Sequence, residues 1–283
     1  SLVPLGRPSS VRRCLQQPVM QLAGCLALVV AVLAVIVHSW RFDHKPRIYG
    51  DKLPRRVLLP SQRQVQRKII VYHNFFRTRV DPKASDMLAL TWHREAARSA
   101  QAWANRCKLL AHDSISGRWI DDFGSCGQNI FISTHRVPWF FAIKTWFLER
   151  HNFTYGSRSN SLVEVGHYTQ LVWAATHKVG CGFSECGGHK KYFSYVCNYC
   201  PIGNHMERLG QPYSRGKPCS GCAKDCNRRR LCTNSCWAAD LWANCQELYR
   251  TWPNWLCRSQ HTSQGRQRRD NCKATCTCAG KIK

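Results

Sequence analysis

The stretch "GHYTQLVWAATHKVGCG", residues 166–182, places one histidine, His167, ahead of a run in which polar and apolar residues alternate. Such alternation is typical of a half-buried β-strand. A lone histidine in that setting is most often a structural residue, packed in the core or exposed at the surface. A functional role for His167 therefore requires chemical partners elsewhere in the chain.

The cysteine content limits the class of protein. The chain has 283 residues and eighteen cysteines, of which Cys14 and Cys25 lie in or before an apolar segment and sixteen lie between Cys107 and Cys278. This length suits one substantial domain and a small module, and the even cysteine count predicts a disulfide framework formed in an oxidising compartment. The Cys-x2-Cys pair that begins at Cys219 would suit zinc by itself. The absence of a second matched pair favours disulfides.

The first part of the sequence, residues 1–39, is predicted to be a leader. It contains the uncharged run "LAGCLALVVAVLAVIV", which is short for a membrane span and suits the apolar part of a signal peptide. A signal peptide that starts at Met20 and is cleaved after "VHS" would release a product beginning near Trp40. The alternative is an uncleaved membrane anchor oriented by Arg12 and Arg13.

The charge balance indicates the kind of partner. The formal net charge is +26, which predicts attraction of a secreted protein to sulfated glycans or to an anionic membrane surface. The alternative is that dispersed Lys and Arg side chains only maintain solubility. Nucleic acid is not an expected partner, because the aromatic residues lie in cysteine-framed segments without a nucleic-acid-binding motif.

Hydrophobic periodicity predicts helices on both sides of a sheet. Residues 40–61 are predicted to be a basic flexible arm, with order beginning near Gln62. Two helical faces then follow, and Pro138 stands near the start of a third helix. Four segments have strand-like composition: "QNIFIS", "HYTQLVW", "KVGCGF" and "YFSYVCNY". The residues of the two helical faces are Val65, Ile69, Tyr72 and Phe76, then Ala96, Ala100, Trp103 and Cys107.

Several of these segments resemble a known family. "GHYTQLVW", "VGCG" and "YVCNYCPIGN" resemble the paired signatures of the CAP superfamily, and "HNFFRTRVDPKASDMLALTW" is similar to its first helix and the following turn. The cysteine pattern through "CTNSC" and "CKATCTC" resembles the cysteine-rich secretory proteins (CRISPs). The resemblance implies an α+β fold: a CAP α-β-α sandwich over residues 62–210, a cysteine-rich hinge over 211–235 and a small helical module over 236–283.

The same resemblance implies a cleft that gathers two histidines and two acidic residues. The matching positions are His112, Gln128, Glu149 and His167, and Gln128 stands where CRISPs usually carry Glu. Two imidazoles with water or a carboxylate would hold Zn²⁺ weakly. Catalysis is not expected, because the amide of Gln128 cannot act as a general base and no nucleophile is tied by motif to a histidine.

The resemblance also implies how the sixteen cysteines pair. Each bridge is expected to stabilise the chain by roughly 2–4 kcal/mol through restriction of the unfolded state, which a module of so few residues needs. The implied pairs are Cys107–Cys186, Cys126–Cys200, Cys181–Cys197, Cys219–Cys226, Cys222–Cys232, Cys236–Cys278, Cys245–Cys272 and Cys257–Cys276.

The C-terminal module is the predicted target-binding region. Its segment "CWAADLWANCQELYRTWPNWLC" is rich in aromatic residues, and we expect Trp242 and Tyr249 to form a half-covered stripe that anchors a partner. Arg266, Arg268 and Arg269 follow in a polar loop, and the hinge "CNRRRLC" adds three more arginines where related proteins often carry acidic residues. The alternative is that the aromatic residues complete a miniature core.

Together these features predict a secreted, extracellular, non-enzymatic glycoprotein. Its C-terminal module would act on a membrane protein, with ion channel regulation implied by the family, and Asn152 in "NFT" is a glycosylation sequon. The alternatives are a lipid or sterol carrier that uses the CAP domain, a metal-dependent hydrolase, and an adhesion protein of a reproductive tract or a venom.

Overall fold

A computed structural model describes residues 52–187 and 191–283. The predicted leader and the first part of the predicted arm lie outside these residues. Within residues 52–61, assigned to the flexible arm, Leu58 and Pro60 are buried, which corrects the assignment for this part of the arm. Leu58 is fully buried and its carbonyl accepts a hydrogen bond of 2.8 Å from the indole Nε1 of Trp139. Order therefore begins before Gln62.

A four-stranded sheet forms the centre of the larger domain. Its strand order is β1-β5-β6-β4, with β1 parallel to β5 and the other pairs antiparallel. A short antiparallel hairpin, β2–β3, lies outside this sheet. The strands are β1 (Thr91–Trp92), β2 (Trp119–Ile120), β3 (Gly124–Ser125), β4 (Gly127–Ser133), β5 (Lys178–Cys186) and β6 (Tyr192–Cys200).

Four helices belong to this domain and four shorter ones to the C-terminal module, counted over the described residues. The first group is α1 (Arg63–Arg77), α2 (Arg94–Asn105), α3 (Trp139–Leu148) and α4 (Leu162–Leu171). The second group is α5 (Cys245–Thr251), α6 (Pro253–Cys257), α7 (Ser263–Asn271) and α8 (Lys273–Thr277). Within these residues, none of the helices is long and apolar enough to cross a bilayer.

The two faces of strand β5 explain the layering. Val179 and Phe183 are buried in the main core with residues of α1, α3 and α4. The alternate positions, Gly180 and Gly182, face α2. A Cβ added at Gly180 would lie 2.1 Å from the amide nitrogen of Ala97, and one added at Gly182 would lie 2.4 Å from Cα of Gln101. The absence of side chains lets the helix backbone approach the sheet closely. The result is the expected α-β-α sandwich.

The prediction of a strand in "HYTQLVW" is wrong, because this segment continues helix α4. Its buried residues Val165, Tyr168 and Leu171 recur every three positions, which is a helical spacing. The apparent alternation covered too few residues to outweigh that spacing. The other three predicted strands are confirmed as β4, β5 and β6, and the three predicted helices as α1, α2 and α3.

A second correction concerns "SQGRQRRDN", predicted to be a polar loop. It forms helix α7, which begins after Thr262, whose hydroxyl accepts the amide proton of Gly265 at 3.0 Å. A threonine N-cap supports a helix even in a strongly polar sequence. Arg266, Arg268 and Arg269 are therefore held on a helix.

All eight disulfides that the resemblance implies are present. In the hinge, the amide of Cys232 donates to the carbonyl of Met87 at 2.8 Å, and the amide of Ala89 donates to the carbonyl of Cys232 at 2.9 Å. In the C-terminal module, half-cystines form most of two small buried clusters. The bridges thus supply the core that a module of this size otherwise lacks.

Candidate functional site

Three of the four predicted cleft residues line one cavity, and the fourth contacts one of them. His112 lies in the loop after α2, Gln128 on β4 and His167 on α4, and all three line a cavity of about 430 Å³. Glu149 follows the end of α3 and lies behind the His167 ring. Arg118, which the sequence analysis did not single out, also lines the cavity.

Glu149 fixes the position of His167. Its Oε1 accepts a hydrogen bond from Nδ1 of His167 at 2.5 Å, and its Oε2 accepts the backbone amides of His167 and Tyr168 at 2.9 and 3.0 Å. A carboxylate that holds Nδ1–H leaves Nε2 of the imidazole as the nitrogen able to coordinate a metal. Glu149 therefore acts as an orienting residue.

Gln128 holds His112 in a similar way. Its Oε1 accepts from the amide of Asp113 and from Nδ1 of His112, each at 3.0 Å, and its amide Nε2 donates to Oδ1 of Asn198 at 2.9 Å. Because Oε1 is an acceptor, the proton of His112 is on Nδ1 and Nε2 is again free. Burial lowers the pKa of His112. The hydrogen bond that His112 donates to Gln128 raises this pKa in part, and the nearby Arg118 and His167 lower it further.

His112 and His167 line the same cavity, and each leaves Nε2 able to coordinate Zn²⁺, with water completing the coordination. Two features weaken the site: Gln128 contributes no negative charge, and Arg118 adds a cation to the lining. Over residues 52–187 and 191–283, the one group of three or more potential metal ligands consists of Cys219, Cys222 and Cys232, whose sulfurs are all in disulfides. Zinc in the cleft remains a prediction.

The lining also bears on catalysis. Among the described residues, no Ser, Thr, Cys, Asp or Glu lines the cleft. Both oxygens of Glu149 are engaged by His167 and by backbone amides. The cavity thus presents imidazole, guanidinium and amide groups, and its described lining offers no hydroxyl, thiol or carboxylate nucleophile.

The C-terminal module exposes its aromatic residues. Trp242 and Tyr249, the predicted anchors, are 36% and 44% exposed, so they do not complete a buried miniature core. Trp252 and Trp255, which the sequence analysis did not single out as anchors, are 57% and 46% exposed. Their position was hard to foresee, because Trp252 lies at the junction between α5 and α6.

Trp252, Trp255 and Arg268 form one contiguous group, called here the Trp–Arg cluster. The two indole rings contact edge to face with centroids 6.2 Å apart, and Cζ of Arg268 lies 4.1 Å from the Trp255 centroid. The guanidinium also donates to the hydroxyl of Ser259 at 2.9 Å. Arg268 is thus a fixed cation, not the mobile one expected from a loop.

Two further predicted positions are accessible. Arg266 is exposed on α7, where its Nη1 donates to the carbonyl of Gln260 at 3.0 Å, while Arg269 is half-buried. Asn152, the acceptor of the predicted glycosylation sequon, is exposed just after a short 3₁₀ turn at the end of α3. Its position permits the attachment of a glycan.

Comparisons with known proteins identify the family. The CAP profile, described as the cysteine-rich secretory protein family, matches residues 70–199, and the Crisp profile matches residues 219–283. Human cysteine-rich secretory protein 2 is 44% identical over 229 residues, which cover 80% of this chain and 88% of that protein. The chain belongs to the cysteine-rich secretory protein family.

Other members of the cysteine-rich secretory protein family are similar over the same span. Human cysteine-rich secretory protein 3 is 41% identical, with 82% of this chain and 91% of that protein covered. Mouse cysteine-rich secretory protein 1 is 39% identical, with 80% and 87% covered. Among solved structures, NaASP2 with Zn²⁺ has a TM-score of 0.51 and 28% identity, and covers 61% of this chain and 96% of that one. The fold and the family are thus established by sequence and by structure.

Proposed function

We propose that this chain is a secreted, non-enzymatic binding protein whose C-terminal module docks on a membrane protein, namely an ion channel with an acidic outer surface. The observation that carries the proposal is the Trp–Arg cluster. Solvent-exposed tryptophan pairs are costly to leave in water, and Trp and Arg are the residues that most often dominate binding energy at protein interfaces.

The charge of the module favours an acidic partner. Residues 236–283 contain eight Lys and Arg against three Asp and Glu, a net charge of +5. Arg268 is already held over Trp255, so little side-chain freedom is lost when it meets a carboxylate. Its fixed position supports a directed contact, while exposed Arg266 supports attraction at longer range.

Secretion is supported by the relatives and by the chemistry of the chain. The relatives above are secretory proteins by name. Eight disulfides among the described residues require an oxidising environment, which the extracellular space provides. The non-enzymatic part of the proposal is supported by the cleft, whose described lining contains no Ser, Thr or Cys to serve as a nucleophile.

The test uses the full, oxidised protein on patch-clamped cells that each overexpress one cation channel. Trp255→Ala should raise the dissociation rate from the responsive channel by about thirtyfold, equivalent to roughly 2 kcal/mol. Arg268→Gln should weaken binding and flatten its dependence on salt. Trp119→Ala is the matched control, because Trp119 is 47% exposed but lies on the β2–β3 hairpin. Equal effects of the two tryptophan variants would refute the proposal.

A lipid or sterol carrier is the second candidate. On α1 and α3, Phe75 and Phe140 are 43% and 38% exposed, and Phe140 stacks on buried Phe76 with centroids 5.5 Å apart. An exposed phenylalanine patch on the sandwich suits apolar ligands. Extraction of the purified protein and mass spectrometry of the extract would reveal a bound lipid. A lipid that is lost on Phe75→Ser, together with unchanged channel currents, would favour the carrier function over the first.

A further inference from the structure

The hinge carries two disulfides with their sulfurs close together. Cys219 is bonded to Cys226 and Cys222 to Cys232. The sulfurs of Cys219, Cys222 and Cys232 all lie within 4.8 Å of one another. Two disulfides in this arrangement are within reach of thiol–disulfide exchange once one of the sulfurs becomes a thiolate.

Exposure distinguishes one sulfur in this group. The described residues contain sixteen disulfide-bonded cysteines, and Cys226 alone among these is exposed. Its partner Cys219 is only 7% exposed, and Cys222 and Cys232 are buried as well. Among these sixteen half-cystines, Cys226 is therefore the one most open to an external thiol.

Three arginines lie close to Cys226 in the sequence, separated from it by Asn227 alone. Asn227 closes a tight turn, since its Oδ1 accepts the amides of Arg229 and Leu231 at 2.9 and 3.1 Å. Arg228, Arg229 and Arg230 are all exposed on this turn. A positive local potential concentrates anions and favours thiolate over thiol, and the thiolate is the attacking species.

We propose that Cys226 is a modification site that takes a small anionic thiol into a mixed disulfide. The thiolate attacks Sγ of Cys226, the bond to Cys219 breaks, and Cys219 leaves as a thiolate. In a second step, this thiolate attacks one sulfur of Cys222–Cys232, and the other sulfur of that bridge leaves as a thiolate. Each step forms one S–S bond and breaks one, so no oxidant is consumed. This chemistry is independent of the proposed channel function.

The test exposes the full-length oxidised protein to three thiols of graded charge: 2-mercaptoethanesulfonate, 2-mercaptoethanol and cysteamine. After quenching with iodoacetamide, peptide mass spectrometry locates the mixed disulfide and the alkylated cysteine. The added thiol is expected on Cys226. Per thiolate, the anionic reagent should react roughly tenfold faster than the cationic one, at the low end of electrostatic rate effects.

Two variants control the experiment. Changing Arg228, Arg229 and Arg230 to Gln should bring the anionic-to-cationic rate ratio close to one, because their side chains supply the local charge. The double variant Cys219→Ser, Cys226→Ser should take up no thiol at the hinge. Uptake on another cysteine in preference to Cys226, or an unchanged rate ratio in the arginine variant, would overturn the proposal. Alkylation confined to Cys219, with none on Cys222 or Cys232, would overturn the second step.

Discussion

His177 gives a sharp prediction about stability in acid. The side chain is 3% exposed and packs edge to face on Phe123, with ring centroids 5.4 Å apart. Its Nδ1 hydrogen-bonds the carbonyl of Ala175 at 3.1 Å, and its Nε2 has no hydrogen-bond partner in the described part of the chain. Burial lowers the pKa of His177 to about 4, and nearby Lys178 adds to the effect.

The direction of the pH dependence follows from that shift. The pKa of His177 is about 4 in the folded state against an ordinary value of 6.5, so between these two pH values the unfolded chain binds a proton that the folded chain does not. The stabilisation is complete above pH 6.5 and is lost as the pH falls toward 4. By linkage, the loss is about 2 kcal/mol at pH 5 and about 3 kcal/mol at pH 4.

The perturbation that isolates this contribution is His177→Phe. Phenylalanine keeps the ring contact with Phe123 and removes the unpartnered Nε2, at the loss of one hydrogen bond to Ala175. At pH 7 the free energy of unfolding of the variant should differ from that of the parent by about 1 kcal/mol or less. Between pH 7 and pH 5, it should lose about 2 kcal/mol less stability than the parent.

The assay is guanidinium unfolding of the oxidised protein, followed by tryptophan fluorescence at half-unit pH steps. Carboxylates that titrate below pH 5 affect parent and variant alike, so the difference between the two curves reports on His177. Parallel curves between pH 7 and pH 5 would refute the assignment of a buried, neutral His177. If the unfolding free energies of parent and variant diverged only above pH 6.5, the pKa of His177 would be raised in the folded state, not lowered.

Three more outcomes can be measured. Titration calorimetry should show weak Zn²⁺ binding that is lost in His167→Ala. The affinity should rise about tenfold in Gln128→Glu, because the added carboxylate offsets the charge of the cation. Equal Zn²⁺ affinities of the parent and the two variants would contradict the site. Gly182→Ala should lower the free energy of unfolding in urea by about 1–3 kcal/mol, because the new Cβ would lie 2.4 Å from the α2 backbone. An unchanged urea midpoint would contradict that packing. Thr154→Ala should remove the glycan from exposed Asn152 without changing stability, as mass spectrometry and unfolding curves would show.

The sandwich could be predicted from the sequence because its signals are local. Helix α1 repeats apolar residues over fifteen positions, and β5 and β6 are nine residues each with buried aromatic or β-branched side chains. The disulfide pairing could not be predicted from local sequence patterns. It came from the resemblance to CRISPs, since cysteine order alone is compatible with many connectivities.

Helix α4 shows where local reasoning fails. Its pattern over "HYTQLVW" is ambiguous, and the decisive helical spacing starts earlier, with Val165. Arg118 was missed for another reason: its Nη1 donates to the carbonyl of Cys126 at 2.9 Å, a contact set by the β2–β3 hairpin. No pattern of residue types predicts such a contact, so only the structure shows that a cation lines the cleft.

The buried Arg77 shows the same limit inside the core. It is 1% exposed, and burial lowers its pKa to about 9. Its guanidinium donates to five backbone carbonyls, four of them in the segment that ends α4 and leads to β5. In sequence it is one more basic residue at the end of an amphipathic helix, where solvent exposure is the ordinary expectation.

The two groups of arginines, one in the C-terminal module and one in the hinge, have different surroundings in the structure. Arg268 lies thirteen residues after Trp255, and only the fold of α6 and α7 places its guanidinium over that ring. The hinge arginines instead follow Cys226 after a single residue, Asn227, and the turn at Asn227 leaves them exposed to solvent. A fixed cation on an aromatic ring suits a directed contact with a partner, whereas exposed cations beside an accessible disulfide suit attraction of small anions. A charge change in the hinge should therefore alter thiol exchange and leave the Trp–Arg cluster intact.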